Sequence, residues 1–330
     1  MRGVAFHTGR RVTLETLPDP RPGPGEVVIK IRASGICHTD IEILRGNYGT
    51  GAFPLIPGHE FAGEVVALGP DVTEFKIGDR TVADPNIGCG ACPSCRAGRI
   101  NLCDALGAYG VSQNGGFAEF CVIRVDRLHK IGDLPYHIAA LAEPMGCVLN
   151  GLTPLAGRNI YRSVVFGAGP IGMLMALALR AKGSGDLVIV DPNPARRALA
   201  EGFGIQALPP ETKRLDQLHH FDLAVDATGL PDVAGGLIPL LANGGAALFF
   251  GVCPQDARIE ISPFELFRRQ LSLFGTHSLN IGHIGEALTL LNTLGPQLEN
   301  LVTHRLGLED IAECLSDGLP EGAMKVHFSA

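Results

Sequence analysis

The sequence predicts an α/β protein with two domains, one β-rich and barrel-like and one built on a doubly wound parallel sheet. The chain has 330 residues, which corresponds to about two domains of roughly 150 residues each. Before residue 150, short strands are separated by turns rich in proline and glycine, a pattern typical of an antiparallel sheet. After residue 150, strands alternate with helical segments, which favours βαβ units and a parallel sheet.

The individual elements follow from hydrophobic periodicity. In the first half, apolar and polar residues alternate, as in half-buried strands, over 25–32, 61–67 and 117–123. In the second half, we expect an apolar helix at 170–181 and short apolar strands at 163–166, 187–190, 223–226 and 246–250. The chain closes with a predicted helix at 308–315 and a predicted strand at 324–328.

The composition argues against several classes of protein. Lys and Arg number 27 against 34 Asp and Glu, so a net charge of −7 argues against a nucleic-acid-binding protein. No run of 18 or more uncharged apolar residues occurs, and no membrane span is expected. The N-terminal segment is rich in arginine and lacks the apolar core of a secretory signal, which predicts a cytoplasmic protein. Disulfides are rare there, so the nine cysteines need another explanation.

A glycine-rich segment lies between the first predicted strand and the first predicted helix of the second half. It fits the dinucleotide-binding pattern G-x-G-x-x-G and consists of Gly167, Ala168, Gly169, Pro170, Ile171 and Gly172. The glycines allow a tight turn, the close approach of a pyrophosphate and close helix–strand packing. An ordinary glycine-rich turn is the alternative, but the position at a helix N-terminus favours NAD binding.

Asp191 ends the next predicted strand, 19 residues after Gly172, where an acidic residue contacts the ribose 2′-hydroxyl. A carboxylate at this place repels a 2′-phosphate, so NAD is favoured over NADP. Arg196 and Arg197 follow closely and weaken this preference. A solvated aspartate at a strand end is the alternative interpretation.

Four cysteines form a C-x2-C-x2-C-x7-C cluster, namely Cys89, Cys92, Cys95 and Cys103. Four thiolates at this spacing suit a closed, tetrahedral structural zinc site. An iron–sulfur cluster is the main rival, since such clusters also use four thiolates. Buried thiols without a metal are the remaining alternative, which this spacing disfavours.

A second set of candidate zinc ligands consists of Cys37, His59 and Glu60. Each of these alone is more often a packed thiol, a core histidine or a surface acid. Their occurrence beside a dinucleotide motif and a four-cysteine cluster favours a catalytic metal site.

With these motifs, the chain resembles the zinc-containing medium-chain alcohol dehydrogenases. The family's landmarks occur in order as GICHTD, PLIPGHEFAGEVVALG, the four-cysteine lobe, GGFAEF, GAGPIG, VDATG and VTHR. Within the family, the chain is most similar to the sorbitol (polyol) dehydrogenases. Glu143 in LAEPM stands where the simple-alcohol dehydrogenases have a cysteine ligand, and the segment 301–305 is a second point of similarity.

The resemblance implies a fold, cofactors and an assembly. A GroES-like catalytic domain is expected at 1–150 and 287–330, with a zinc lobe at 86–105, and a Rossmann NAD-binding domain at 151–286. The family also implies two Zn²⁺ per subunit, one catalytic and one structural, and a homodimer or homotetramer.

The resemblance further implies the reaction. Zinc on Cys37, His59 and Glu60 leaves one position open and lowers the pKa of a bound substrate hydroxyl. Hydride then passes from a secondary alcohol, expected to be a sugar alcohol, to NAD⁺, and a ketose forms. Glu143 is expected beside the zinc, or in exchange with Glu60 as its ligand.

Two residues concern the proton of the substrate hydroxyl. Thr39 stands at the family's Ser/Thr position that hands this proton on, and its alternative role is a helix cap in the segment 39–42. Glu42 stands where many relatives have a histidine that ends the proton relay. A relay through Glu42 and water is therefore expected instead.

The family also assigns cofactor and substrate contacts by position. Besides the glycine-rich segment, Asp191 and Arg196, the expected cofactor contacts are His38, Thr228, Gly229, Gly251 and Val252. The expected substrate contacts are His277, Ser278 and Asn280. The arginine of sorbitol dehydrogenases is missing from this stretch, and Asn150 replaces a frequent histidine, so the pocket is not that of sorbitol dehydrogenase. Its polar groups disfavour a purely apolar alcohol.

Other functions remain open at this stage. A zinc dehydrogenase of another secondary alcohol, such as threonine or 2,3-butanediol, or of a simple alcohol is the first alternative. A catalytically silent, NAD(H)-binding structural protein is the second, and the intact ligand set argues against it. Zinc content distinguishes them, because a silent protein needs only the lobe metal. The zinc-free quinone reductases are excluded if both sites hold metal.

Overall fold

The computed structural model describes residues 1–49, 52–211 and 220–330. These residues divide into two compact units, one formed by Met1–Gly146 with Leu279–Ala330 and the other by Cys147–Ser278. The sequence-based limits of the inserted domain were 151 and 286, whereas the second unit runs from 147 to 278. One continuous helix spans 142–152, so no linker marks the first limit. At the second limit, the carbonyl of Leu279 already accepts a hydrogen bond of 2.9 Å from the Asn86 amide of the first unit.

The first unit is built mainly from short strands. Its strands are β1 (Arg2–His7), β2 (Arg11–Thr16), β3 (Glu26–Gly35), β4 (Glu60–Leu68), β5 (Arg80–Ala83), β6 (Asn86–Ile87), β7 (Gly107–Ala108), β8 (Phe120–Arg124), β9 (Leu128–Lys130), β16 (Val302–Leu306) and β17 (Lys325–Ser329). Seven of them form one sheet in the order β16, β17, β3, β4, β5, β9, with β8 also paired to β3. Every pair in this sheet is antiparallel except β16 with β17.

The strand β3 lies at the centre of this sheet because its sequence alternates as predicted. Val27, Ile29 and Ile31 are fully buried, whereas Lys30 between them is partly exposed. These side chains belong to one core cluster with Phe61 of β4. Burial of a large apolar side chain contributes about 1.5–3 kcal/mol, so this cluster holds the sheet together. The predicted β-rich antiparallel domain is thereby confirmed.

The second unit contains a six-stranded parallel sheet. Its strands are β10 (Arg162–Phe166), β11 (Asp186–Val190), β12 (Gln206–Leu208), β13 (Phe221–Asp226), β14 (Leu241–Phe249) and β15 (Ser272–Gly275). They lie in the order β12, β11, β10, β13, β14, β15, all parallel. The order reverses between β10 and β13, which is where ligands bind in doubly wound sheets. The predicted parallel sheet is confirmed.

The α-helices among the described residues complete the two units. They are α1 (His38–Arg45), α2 (Pro93–Arg96), α3 (Tyr136–Ala139), α4 (Ala142–Leu152), α5 (Pro170–Ala181), α6 (Pro194–Gly202), α7 (Pro231–Leu240), α8 (Pro263–Arg269), α9 (His283–Leu294) and α10 (Leu308–Asp317). The helix α5 has the predicted bounds, and α10 runs two residues beyond its predicted end. Within the part of the chain that the structure describes, one helical stretch, 136–155, is long and apolar enough to cross a membrane, but 78% of its apolar window is buried inside the protein, as in a core helix.

Candidate active site

Three potential metal ligands meet where β3 ends and β4 begins. Cys37 lies just beyond β3, as the residue that caps α1, while His59 and Glu60 lie at the start of β4. The antiparallel pairing of β3 with β4 sets Gly35 opposite Glu60, so residues far apart in sequence become neighbours. The ligand atoms of Cys37, His59 and Glu60 all lie within 4.8 Å of one another. A thiolate, an imidazole and a carboxylate at this spacing fit a zinc ion with an open position.

Asp40 organises this ligand set, and the sequence analysis missed it. Its carboxylate is fully buried. Oδ2 accepts a 2.8 Å hydrogen bond from the backbone N–H of Cys37, and Oδ1 accepts one of 3.2 Å from Gly58. Oδ1 also lies 3.4 Å from Nδ1 of His59. A carboxylate behind a ligating imidazole fixes the ring and its tautomer.

The same contacts correct the predicted helix cap. The helix α1 begins at His38 with Cys37 as its cap, and Asp40 is the third helical residue that bonds back to the cap. The segment 39–42 is therefore not the capping box, because Thr39 already lies inside the first turn. An acid three residues after Cys37 was the signal in the sequence that identifies Asp40.

The electrostatics of His59 are governed by its acidic neighbours. Burial opposes the charged imidazole, but the Asp40 carboxylate and the Cys37 thiol raise the pKa of His59 well above its usual value. The acidic neighbours of His59 therefore stabilise a positive charge at this buried position. A proton and a metal ion compete for the imidazole, because only the neutral ring is a ligand.

Lys325 is a second functional residue that the sequence analysis missed. Its ammonium is buried in β17, donates to the carbonyl of Ile36 at 3.2 Å and is hydrogen-bonded to Oε2 of Glu60. Burial opposes its charge, yet Glu60 and Cys37, with a smaller effect from Glu143, raise the pKa of Lys325 above its usual value. Its only signal in the sequence was a lysine at the start of a predicted strand, between the apolar residues Met324 and Val326.

The residues expected to handle the substrate proton occupy different environments. Glu143 is buried in the first turn of α4, and Thr39 is half-buried in the first turn of α1. Glu42 accepts hydrogen bonds from Asn47 at 2.8 Å and from Arg45 at 2.9 Å. The Asn47 hydrogen bond, with a further one from Arg45, lowers the pKa of Glu42, so this carboxylate is a weak proton acceptor. Its role in a relay stays a prediction.

The four cysteines of the lobe come together as predicted. The Sγ atoms of Cys89, Cys92, Cys95 and Cys103 lie within 4.8 Å of one another. Backbone N–H groups point at the sulfurs, for example Cys89 at 3.2 Å from Cys103 Sγ. Such bonds, led by that from the N–H of Cys95, lower the pKa of Cys92 to about 6, whereas burial raises that of Cys95 to about 12. This sulfur set fits a closed structural zinc site.

Asn280, expected to contact substrate, has other partners in the structure. Its Oδ1 accepts a 3.0 Å hydrogen bond from the N–H of Ile100, and its Nδ2 donates to the carbonyl of Gly98 at 2.8 Å. Both ends of the amide thus bind the backbone of the cysteine lobe. The other two expected contacts, His277 and Ser278, lie in the second unit. There Asn150 donates to the carbonyl of Ser278 at 2.8 Å.

The glycine-rich segment forms a tight turn after β10. A Cβ on Gly172 would lie 1.7 Å from the carbonyl oxygen of Gly167, so only glycine fits there. Oδ2 of Asp191 accepts a 2.7 Å hydrogen bond from the N–H of Ala168, and Nη1 of Arg196 lies 3.9 Å from the same oxygen. Asp191 is therefore hydrogen-bonded to the glycine-rich turn, at the edge of the sheet where dinucleotides bind.

Four further expected cofactor residues lie on two neighbouring loops, Thr228 and Gly229 after β13 and Gly251 and Val252 after β14. A Cβ on Gly251 would lie 2.1 Å from the backbone N of Gly229, so the two loops touch through glycines. Oδ1 of Asp226 accepts hydrogen bonds from both the N–H and the hydroxyl of Thr228. Val252 is 91% exposed. His38 lies apart from these loops in sequence, is largely exposed and stands 3.5 Å from Glu42.

Comparison with known proteins now decides the family. Residues 23–133 match the alcohol dehydrogenase GroES-like domain, and residues 170–293 match the zinc-binding dehydrogenase family. The chain is 50% identical, over 100% of both chains, to D-altritol 5-dehydrogenase of Agrobacterium fabrum. The chain belongs to the zinc-containing medium-chain alcohol dehydrogenase family.

Other relatives of this dehydrogenase have several substrates. D-arabinitol dehydrogenase 1 of Uromyces fabae is 30% identical over 91% of the chain and 89% of that protein. An L-threonine 3-dehydrogenase of Mesorhizobium japonicum is 32% identical over 92% of the chain and 90% of that protein. A zinc-binding dehydrogenase from Sinorhizobium meliloti bound to NADP matches the structure with a TM-score of 0.95 and 29% identity, covering 100% and 99% of the two chains.

Proposed function

We propose that this dehydrogenase oxidises a secondary hydroxyl of a sugar alcohol to a ketone, with NAD⁺ as the hydride acceptor. The observation that carries the proposal is the Cys37–His59–Glu60 ligand set in a chain that is 50% identical along its whole length to a polyol dehydrogenase. Zinc, when bound by these ligands, supplies a Lewis acid that makes the substrate hydroxyl acidic at neutral pH. The four-cysteine lobe would hold a second, structural zinc ion.

The residues of the chain then have separate tasks. Asp40 orients His59 from behind, so that the ring presents one nitrogen as a ligand. Lys325 holds Glu60 and balances the charge of the acidic groups around it. Thr39 accepts the proton of the substrate hydroxyl and passes it towards solvent. Glu143, buried in the first turn of α4, would act beside the zinc or in exchange with Glu60 as its ligand.

The cofactor is NAD⁺, held by the turn 167–172 and supplying the hydride acceptor. NAD⁺, when bound, would supply the acceptor for the hydride of the carbinol carbon, and the hydroxyl proton would leave through the residues of the chain, so that a ketone and NADH are the products. Asp191 and Arg196 face the adenosine ribose at the edge of the sheet. The negative charge of Asp191 favours a ribose 2′-hydroxyl over a 2′-phosphate. His38, Thr228, Gly229, Gly251 and Val252 complete the proposed cofactor contacts, and His277 and Ser278 the substrate contacts.

Oxidation of L-threonine is the second candidate, because relatives with that name align over nine-tenths of the chain. Steady-state reduction of NAD⁺ tests the two proposals against each other. We expect a higher kcat/KM for D-altritol and D-arabinitol than for L-threonine or 2,3-butanediol, and a higher one with NAD⁺ than with NADP⁺. A preference for L-threonine would replace the polyol proposal and leave the zinc chemistry in place. The variant Cys37→Ser is the control, since it removes a ligand and should abolish every activity.

We propose a homodimer or homotetramer, because β15 is an edge strand and Phe264 and Phe267 of the preceding helix are 64% and 80% exposed. Light scattering of the purified protein tests this, and a monomer at micromolar concentration would refute it. We propose a cytoplasmic location, since the nine cysteines are all free thiols, which suits a reducing compartment.

A further inference from the structure

Three residues form a row across neighbouring strands beside the proposed catalytic site. In the sheet, His327 of β17 pairs with Gly35 of β3, and Gly35 pairs with Glu60 of β4. Directly paired residues point to the same face of a sheet. His327 and Glu60 therefore stand on the two sides of a glycine that has no side chain to separate them.

The glycine leaves a space that both side chains enter. A Cβ on Gly35 would lie 2.4 Å from Oε2 of Glu60 and 3.1 Å from Nε2 of His327. Because both atoms lie around that one point, they are at most about 5.5 Å apart, the span of two hydrogen bonds in series. Nothing in the backbone at Gly35 requires glycine, since its φ lies outside the left-handed region. Glycine is required at this position because the side chains of Glu60 and His327 occupy the space that a Cβ would need.

His327 lies in an unusual environment for a histidine. Its side chain is fully buried, and neither ring nitrogen has a hydrogen-bond partner among the residues that the structure describes. Burial, and then the charges of Lys325, His137 and Arg305, lower the pKa of His327 well below its usual value. The ring is therefore neutral and carries one N–H donor. Buried donors without partners are rare in folded proteins and call for a reason.

The carboxylate of Glu60 already accepts one hydrogen bond from the strand β17. The ammonium of Lys325, two residues from His327 on the same strand, holds Oε2 of Glu60 and the carbonyl of Ile36. The imidazole of His327 approaches the same oxygen across Gly35. One donor from β17, Lys325, therefore binds the carboxylate of a proposed zinc ligand, and the imidazole of His327 lies close enough to the same oxygen for one water molecule to bridge them.

We propose that His327 is a positioning residue for Glu60, whose carboxylate it holds from above Gly35 through an Nε2–H donor and one bridging water molecule. The inference rests on the zinc chemistry proposed above for Cys37, His59 and Glu60. With Lys325, the imidazole limits how tightly the carboxylate engages the metal and so keeps a position free for substrate. Removal of the donor frees the carboxylate to bind the metal more strongly.

The test replaces the catalytic zinc with Co²⁺, whose visible absorption reports the number and type of its ligands, while the lobe keeps zinc. The variant His327→Leu removes the donor, and the matched variant His327→Gln keeps an N–H near the position of Nε2. Cys37→Ser, which lacks the thiolate ligand, supplies the spectral background. We expect His327→Leu to change the cobalt spectrum and to lower kcat roughly tenfold, with KM for NAD⁺ nearly unchanged. We expect His327→Gln to recover most of both.

The proposal would be overturned if both His327 variants had the cobalt spectrum and the kcat of the wild type. It would also be overturned if kcat fell equally in both variants. A lower Tm of His327→Leu with an unchanged spectrum would also overturn it, because a merely structural role predicts that result. If His327→Leu does not fold, Gly35→Ala enters the same space from the other strand and must alter the cobalt spectrum. The spectrum needs no substrate, so failure of wild-type protein to oxidise a polyol would refute the proposed function alone.

Discussion

The carboxylate of Asp40 lies 3.4 Å from Nδ1 of His59 and accepts a hydrogen bond from the backbone N–H of Cys37. One buried acid therefore contacts both a proposed zinc-binding imidazole and the residue that supplies the thiolate. This relationship places the acid at the back of the metal site, where it orients the ligands without occupying a coordination position.

The variant Asp40→Asn tests that relationship. We expect it to lower kcat and zinc retention by about tenfold to a hundredfold, because the imidazole loses the negative charge 3.4 Å from its Nδ1. Zinc retention is measured by dialysis against a chelator followed by metal analysis. Glu42→Gln is the matched control on the same helix, since its carboxylate bonds to Arg45 and Asn47. Equal zinc loss in both variants would contradict the role given to Asp40.

The buried imidazole of His327 predicts a pH dependence of stability. Its pKa is lowered well below 6.5 in the folded protein, so only the unfolded chain takes up a proton there as the pH falls through 6.5. Stability is therefore present above pH 6.5 and is lost below it, by up to about 1.4 kcal/mol per pH unit. Urea unfolding of the wild type and of His327→Leu measures the difference in slope. We expect the variant to lose less stability between about pH 7 and 5, and identical slopes would contradict the assignment.

The turn after β10 predicts a specific defect in cofactor binding. Gly172→Ala places a Cβ 1.7 Å from the carbonyl oxygen of Gly167 and must open the turn. We expect the Kd for NADH, measured by fluorescence titration, to rise at least about tenfold, since the helix N-terminus moves away from the phosphates. The control is Gly236→Ala in α7, where an added Cβ meets nothing. An unchanged Kd in Gly172→Ala would show that the cofactor binds elsewhere.

The contacts of Asn280 predict a structural defect and separate two roles for this residue. Asn280→Ala removes both hydrogen bonds to the backbone of the cysteine lobe, at Gly98 and Ile100. We expect the lobe zinc to be released faster by a chelator, while KM for the polyol changes less than about twofold, because no substrate contact is lost. A raised KM with normal zinc release would instead support the substrate role predicted from sequence. Asn292→Ala, on an adjacent helix of the same unit, is the control.

Periodicity and short motifs predicted most of the fold. The alternation of apolar and polar residues predicted the strand β3, and the apolar run predicted the helix α5. Both patterns are informative because the apolar side chains of each element are buried against a core. The four cysteines were also predicted, since thiolates at that spacing in one loop have few other uses. The limits of the second unit were harder to predict from the sequence, because α4 continues through one of them without a linker.

The supporting residues of the site were not predicted, for a physical reason. Lys325 and His327 act through contacts between strands that are distant in sequence, which no local pattern records, and for Asp40 only the contact with Cys37 follows a local pattern. Asn280 shows the limit of assigning a residue by its position alone. Its substrate role stays a prediction, whereas the structure shows that its amide binds the backbone of the cysteine lobe.

We propose that a zinc ion at Cys37, His59 and Glu60 lets this chain oxidise a sugar alcohol with NAD⁺. NADH and ketose formed from D-altritol are measured before zinc removal, after it, and after zinc is restored. We expect equal amounts of ketose and NADH, loss of both on removal and recovery with added zinc. Full activity in protein that lacks zinc at this site, or no ketose from any sugar alcohol in the zinc-loaded protein, would contradict the proposal.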